Sequence, residues 1–213
     1  MAKKKDIFFG RHPALETLKS DQSVDKIFIQ KGATGQEIGE IRAFCKEHNI
    51  PTKTVPKEKI DYMLYPIYHG KEVNHQGVMG FYGAIKYHNL DDILHQTLSK
   101  GEDALFVLLD NVTDVRNVGA IARTAECLGA HAIVIPSKGA AQINAEAIKA
   151  SAGAINNIPI CREKNMPSTI DYLKMNGIAI IGSSLNTEKP IYSINFNKPT
   201  AIILGSEGEG MTF

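Results

Sequence analysis

The stretch LFVLLDNVTDVRNVGAIARTAECLG, residues 105–129, decides how this chain is read. Its first five residues, Leu105 to Leu109, form an unbroken apolar run, as expected of a strand covered on both faces in a parallel sheet. Polar residues then crowd together: Asp110, Asn111, Thr113, Asp114, Arg116 and Asn117. From Val118 to Leu128 the apolar spacing becomes helical. A buried strand that ends in a polar loop and passes into a helix is half of a βαβ unit. Open sheets built from such units bind ligands at the carboxyl ends of their strands.

The alternation continues downstream. Strands are predicted over Ala132–Ile135, Ile158–Cys161, Ile178–Ile181 and Ala201–Leu204, and helices over Ala141–Ser151 and Ser168–Asn176. This rhythm implies a doubly wound, mostly parallel α/β sheet for residues 101–213. Upstream, residues 1–85 read as a separate small α/β domain. The spacing predicts a helix over Arg11–Lys19, a strand over Lys26–Gln30, a helix over Gln36–His48 and a strand over Lys53–Val55. Pro56 opens a further helix, where its missing N–H costs nothing. The polar stretch Tyr68–Gln76 reads as a mobile loop, and a strand over Gly77–Ala84 closes the domain. Residues 86–100 read as a linker with a short helix, Asp91 lying near its N-cap and Leu94 and Leu98 on its apolar face.

Composition narrows the function classes. The chain has 213 residues, 43% of them hydrophobic, with a formal net charge of +1. That is enough apolar material for real cores. Any nucleic-acid surface must come from local clusters, because the total charge is near zero. Lys3-Lys4-Lys5 is the obvious cluster and reads as a solvated end in preference to a nucleic-acid arm. No apolar run approaches the ~20 residues needed to span a bilayer. The cysteines, Cys45, Cys127 and Cys161, are few and widely spaced, which suits reduced thiols in a cytoplasmic protein. The histidines lack metal-ligand spacing, so no metal site is expected.

Three loops at predicted strand ends concentrate candidate chemistry. Asp110–Gly119 carries Arg116, with Arg123 about two turns on. Ordinary roles also suit these residues: Asn117 as a helix cap, Gly119 for close packing, Arg123 in a surface ion pair. Gly182-Ser183-Ser184 follows the strand ending at Ile181, and either a plain turn or a close ligand approach accounts for it. Gly205-Ser206-Glu207-Gly208-Glu209-Gly210 follows the strand ending at Leu204. Its carboxylates argue against a phosphate cradle, and it is not a dinucleotide-binding G-x-G-x-x-G. An adenosine-bearing, positively charged sulfonium suits it better.

Taken together, these segments resemble a known family. Leu109 to Ala125 is similar to the first motif of the SpoU (TrmH) RNA ribose 2′-O-methyltransferases of the SPOUT superfamily, a strand end followed by N-x-G-x-x-x-R-[ST]-A. Ile202 to Met211 is similar to their second motif. Residues 142–154 with Ile158-Pro159-Ile160 resemble the segment between, and Phe9–Leu18 resembles the start of an L30e-like substrate-binding domain. The resemblance implies an L30e-like N-terminal domain, a SPOUT-type catalytic domain with a C-terminal trefoil knot, a homodimer, and S-adenosylmethionine as cofactor. It implies methylation of RNA, a guanosine of 23S rRNA by the two-domain arrangement.

The same resemblance assigns residues. Arg123 would act at the ribose 2′-oxygen, either aiding its deprotonation or clamping phosphate and oxygen. A guanidinium stays charged at ordinary pH, so both roles stand. Asn117 would lie beside it, and Glu207 would hold the loop and dimer contacts near the arginine. Gly182, Ser183, Leu204, Gly205 and Gly208 would line the cofactor pocket; Arg11, His12 and Arg116 would meet RNA. The family's third motif is expected after the second, whereas this sequence reaches Met211-Thr212-Phe213 there. The resemblance therefore implies an incomplete knot and a pocket lacking one wall. It leaves a non-catalytic RNA-binding protein on the same scaffold as the alternative.

Overall fold

The computed structural model describes residues 6–141, 143–184, 187, 189–208 and 210–212; Lys3-Lys4-Lys5, Gln142, Glu209 and Phe213 of the segments above lie outside these. Two compact units divide the chain, Met1–Lys86 and Tyr87–Phe213.

In the first unit the chain runs through β1 (Ile7–Phe9), α1 (Arg11–Lys19), β2 (Val24–Gln30), α2 (Gln36–Glu47), β3 (Thr52–Val55), α3 (Lys57–Leu64) and β4 (Val78–Tyr82). The sheet order is β1-β4-β2-β3. β4 pairs antiparallel with both β1 and β2, while β3 lies parallel to β2. Alternation along β2 sends Ile27 and Ile29 to one face, where they pack with Ala14 and Leu18 of α1 and Ile38 and Ile41 of α2. Phe28 goes to the other face, against Ile60 and Leu64 of α3 and Met79. A strand covered on both sides needs apolar residues in both phases. β1 escapes the sequence reading because three residues are too short to show a period.

The second unit comprises β5 (Tyr87–His88), α4 (Leu90–Ser99), β6 (Leu105–Leu109), α5 (Val115–Cys127), β7 (Ala132–Pro136), α6 (Ala145–Ala150), β8 (Ile160–Glu163), α7 (Met166–Met175), β9 (Ala179–Gly182) and β10 (Thr200–Leu204). The sheet runs β5-β8-β7-β6-β10-β9, and every pairing is parallel. Phe106, Leu108, Val134, Ala201 and Ile203 bury one face with Leu90 and Leu94 of α4 and Ile170 and Leu173 of α7.

Several expectations need correcting. The segment read as a linker contributes β5, paired with β8, and α4, whose Leu90 and Leu94 enter the core. Apolar helix residues buried in a domain's core belong to that domain. α5 begins three residues before the expected Val118, because Asp114 caps it: the Asp114 carboxylate accepts the Arg116 N–H at 2.7 Å. Asn117 is therefore in the first helical turn and is not the cap. The helix expected over Ala141–Ser151 shortens to α6 because Asn144 caps it, accepting from Glu146 and Ala147 N–H. The Ala141 N–H instead bonds Val112 O at 3.0 Å. The segment Tyr68–Gln76 is irregular as expected, but it is anchored by the buried side chain of His75.

Candidate functional site

The strand order brings three loops together. β10 lies between β6 and β9, so the segments that follow Leu109, Leu204 and Gly182 leave the sheet side by side at its carboxyl edge. At that edge backbone N–H and C=O groups have run out of sheet partners and must find others.

Much of that pairing is between the loops. The Asp110 N–H bonds Leu204 O at 2.8 Å, and the Ser183 N–H and Oγ both donate to Ile203 O at 3.1 and 3.2 Å. After Gly205 the chain makes a tight turn in which Ser206 and Gly210 exchange backbone hydrogen bonds of 2.9 and 3.0 Å. Beyond it, Thr212 donates through its N–H at 2.5 Å and its hydroxyl at 2.8 Å to the carboxylate of Asp110, which is 4% exposed. A buried carboxylate is expensive unless its oxygens are bonded. Asp110 is thus an anchor that sequence reasoning missed as a functional residue; its signal was an acidic residue directly after a run of buried apolar ones.

Glycine positions show which backbone faces are already occupied. A Cβ on Gly205 would lie inside 3.0 Å of the Gly210 and Met211 backbone, and one on Gly182 would lie 2.6 Å from Met211 Cε. These two glycines admit the chain's own returning segment, with Met211 packed against the core beneath. Gly208 differs, with nothing within 4 Å of a Cβ there. Gly182, Ser183 and Gly208 are exposed residues of these loops, although Met211 covers one side of Gly182 and the Ser183 N–H and hydroxyl are spent on Ile203 O. Leu204 is half-buried, and its carbonyl is already taken by Asp110. Small exposed residues beside apolar strand ends let an adenosine-type ligand approach the backbone closely.

α5 starts at the same edge and carries the basic residues outward. Arg116, Asn117 and Arg123 are all exposed, while Val118, Gly119, Ala122 and Ala125 form the buried side. Gly119 is a contact glycine, since a Cβ there would come within 2.7 Å of Ala147 O and Ala150 Cβ on α6. Arg116 pairs with Asp114 at 3.6 Å and approaches Glu146 at 4.0 Å. The Arg116 N–H, with its guanidinium and the Asn117 N–H behind, holds the Asp114 carboxyl below the usual carboxylate range. Arg123 lies seven residues past Arg116, on nearly the same face and about 10 Å further along the axis. Helical side chains in general lean toward the N-terminus, and the N-terminus of α5 lies at the carboxyl edge. Neither Arg123 nor Glu207, exposed on the 206–210 turn, forms an ion pair among the described residues. The structure thus joins the three loops to one another but leaves Arg123, Asn117 and Glu207 without mutual hydrogen bonds.

Arg11 and His12 belong to the first unit, at the start of α1. They line a cavity of about 880 Å³ with Gln30, Glu37, Asn74 and Gln76. Both approach Glu37, Arg11 at 3.4 Å and His12 at 3.2 Å. Among the described residues no group of His, Cys, Asp or Glu side chains is placed to hold a metal ion. No described helix is long and apolar enough to cross a membrane.

Comparison with known proteins adds to this geometry. Residues 104–212 match the SpoU rRNA Methylase family, and residues 7–88 match the RNA 2'-O ribose methyltransferase substrate binding domain. YacO of Bacillus subtilis (strain 168), assigned to the TrmH family of tRNA/rRNA methyltransferases, is 33% identical over 211 residues, covering 99% of this chain and 82% of its own length. A similarly assigned protein from Staphylococcus epidermidis is 33% identical over 206 residues, 97% of this chain and 80% of that protein. Among solved structures, the SpoU methyltransferase AviRb from Streptomyces viridochromogenes, in complex with AdoMet, has a TM-score of 0.53 at 19% identity, covering 97% of this chain and 74% of its own. An AdoMet-bound rRNA methyltransferase from Sinorhizobium meliloti has a TM-score of 0.53 at 23% identity, over 97% and 72% of the two chains. These two share the fold.

Proposed function

The chain belongs to the SpoU family of RNA methyltransferases, and on that premise we propose that it transfers a methyl group from S-adenosylmethionine to the ribose 2′-oxygen of an RNA nucleotide, a guanosine of 23S rRNA. The observation that carries this reading is the meeting of three loops at the carboxyl ends of β6, β10 and β9, beside a helix bearing exposed Arg116, Asn117 and Arg123. The cofactor site is assigned to the backbone of Gly182, Ser183 and Gly208, with Leu204 and Gly205 forming its floor. Bound there, S-adenosylmethionine supplies a methyl already activated by its sulfonium, so the protein's work is positioning.

Arg123 brings five N–H donors in a fixed plane, enough to hold a phosphate oxygen and the 2′-oxygen together. Its charge lowers the cost of developing negative character on that oxygen as the proton leaves to solvent or phosphate. Asn117 orients the ribose from the first turn of α5, and Glu207 steadies the 206–210 turn. Arg116 meets RNA near this site, and Arg11 and His12 meet it through the cavity of the first unit. The enzyme works as a homodimer in the cytoplasm. Support for 23S rRNA lies in the substrate-binding unit that precedes the catalytic one.

The test is methyl transfer from labelled S-adenosylmethionine to in vitro transcribed 23S rRNA, followed by mapping of the modified nucleotide. Label on one ribose is the expected outcome. Label on a base, or none with cofactor bound, would overturn the 2′-O assignment.

A further inference from the structure

The first unit contains a side-chain relay that the catalytic reading does not use. His75 is 3% exposed and is bonded at both ring nitrogens. Nδ1 accepts the Gly77 N–H at 3.0 Å, so the proton sits on Nε2, which donates to Asp61 Oδ1 at 3.1 Å. Asp61 in turn holds Lys57 at 2.9 Å across one turn of α3. The neighbours of His75 are forced into an unusual backbone: Gln76 has φ +50° and Gly77 φ +79°. Left-handed geometry at a non-glycine residue persists only where the surroundings hold it.

The consequence appears at Gln76. Helix α1 has Gly10 at its N-cap and no side chain of its own to satisfy its first N–H groups. Gln76 does so from a distant part of the sequence: its Oε1 accepts the Arg11 N–H at 3.1 Å. The carbonyl of Gln76 also accepts Arg11 Nε at 3.2 Å, which fixes the direction of the guanidinium. The tip of that guanidinium then reaches Glu37 at 3.4 Å, on the wall of the cavity. Aiming a long arginine costs side-chain entropy unless its stem is already held.

We propose that His75 is a positioning residue for RNA capture: clamped between Asp61 and the Gly77 N–H, it holds Gln76 in place to cap α1 and to aim Arg11 into the cavity. This rests on the reading that Arg11 faces RNA. His75 does not touch RNA; it acts through Gln76 and Arg11.

A double-mutant cycle on the full chain tests this, with unmodified in vitro transcribed 23S rRNA as the probe. His75→Ala should weaken RNA binding by about tenfold, the scale of one lost charge-assisted contact. It should raise KM for RNA while leaving kcat and S-adenosylmethionine affinity near wild type. His75→Asn, whose side-chain oxygen can still accept the Gly77 N–H, should restore most of the affinity. In an Arg11→Ala background His75→Ala should have no further effect, because the residue through which it acts is gone. Asp61→Ala, which removes the other side of the clamp on His75 at a partly exposed position, should behave in the same non-additive way and decides the matter if His75→Ala does not fold. Additive losses, or wild-type RNA affinity in both His75→Ala and Asp61→Ala, overturn the positioning role alone. If Arg11→Ala leaves RNA binding unchanged, or the wild-type chain does not bind the probe, the RNA reading of the cavity falls and the proposal falls with it.

Discussion

Replacing Gly205 by alanine should damage the site through the chain's own backbone before any ligand is involved. The added methyl would lie inside 3.0 Å of the Gly210 and Met211 main chain. These are backbone atoms, which cannot swing aside as a side-chain end can. Accommodation requires the 206–210 turn to open, with loss of the paired hydrogen bonds between Ser206 and Gly210. Each is worth about 1 kcal/mol net, and overpacking of this kind costs about 1–3 kcal/mol. Retreat of Met211 would also loosen the bonds from Thr212 to Asp110. A destabilisation of about 2–4 kcal/mol is expected on these grounds, together with loss of S-adenosylmethionine binding. Urea unfolding and isothermal titration measure the two effects, and Gly208→Ala is the control for stability, since its methyl would meet nothing within 4 Å. The control should fold like wild type. A Gly205→Ala protein as stable as Gly208→Ala would refute the argument, because the returning segment would then not be packed against residue 205.

Arg123→Ala should abolish methyl transfer while changing stability by less than about 0.5 kcal/mol, as is usual for an exposed helical position; a large fall in the melting temperature would instead make Arg123 structural. Arg123→Lys should not rescue turnover, because a single ammonium cannot reproduce the planar fork. Asp110→Ala removes the acceptor of both Thr212 bonds and should weaken cofactor binding by at least about tenfold, matching the scale of hydrogen bonds to a charged group; unchanged titration heats would disprove that anchor. Burial pushes the Glu163 carboxyl above its usual range, with Lys164 opposing. The ionised form therefore opposes folding above the folded-state pKa, and that penalty is relieved as pH falls through it. Glu163→Gln should stabilise the chain at neutral pH, and the gain should shrink toward zero as pH falls below about 4, the unfolded carboxylate range; a gain of the same size at both pH values would contradict this.

Much of the catalytic unit was legible in the sequence because its strands are buried on both faces. The runs Leu105–Leu109 and Ala201–Leu204 are apolar without interruption, and the helices between show their own period. Element ends were less legible. Asp114, Asn144 and Asn165 each cap a helix through a side-chain hydrogen bond, yet polar residues abound in each loop and only geometry selects the one that caps. β5 was hidden because two residues carry no period.

By itself, then, the sequence determined the alternation of strand and helix, the two-unit division, and the residue types at the strand ends, since these follow from periodic burial along a local stretch. Only the tertiary structure decided that β10 runs between β6 and β9, that Asp110 holds Thr212, that Gly205 and Gly182 make room for Met211, and that Gln76 caps the helix begun by Arg11. Each of these joins residues far apart along the chain. A contact of that kind lowers the energy of the folded state without imposing any period on the sequence near either partner, so nothing local records it.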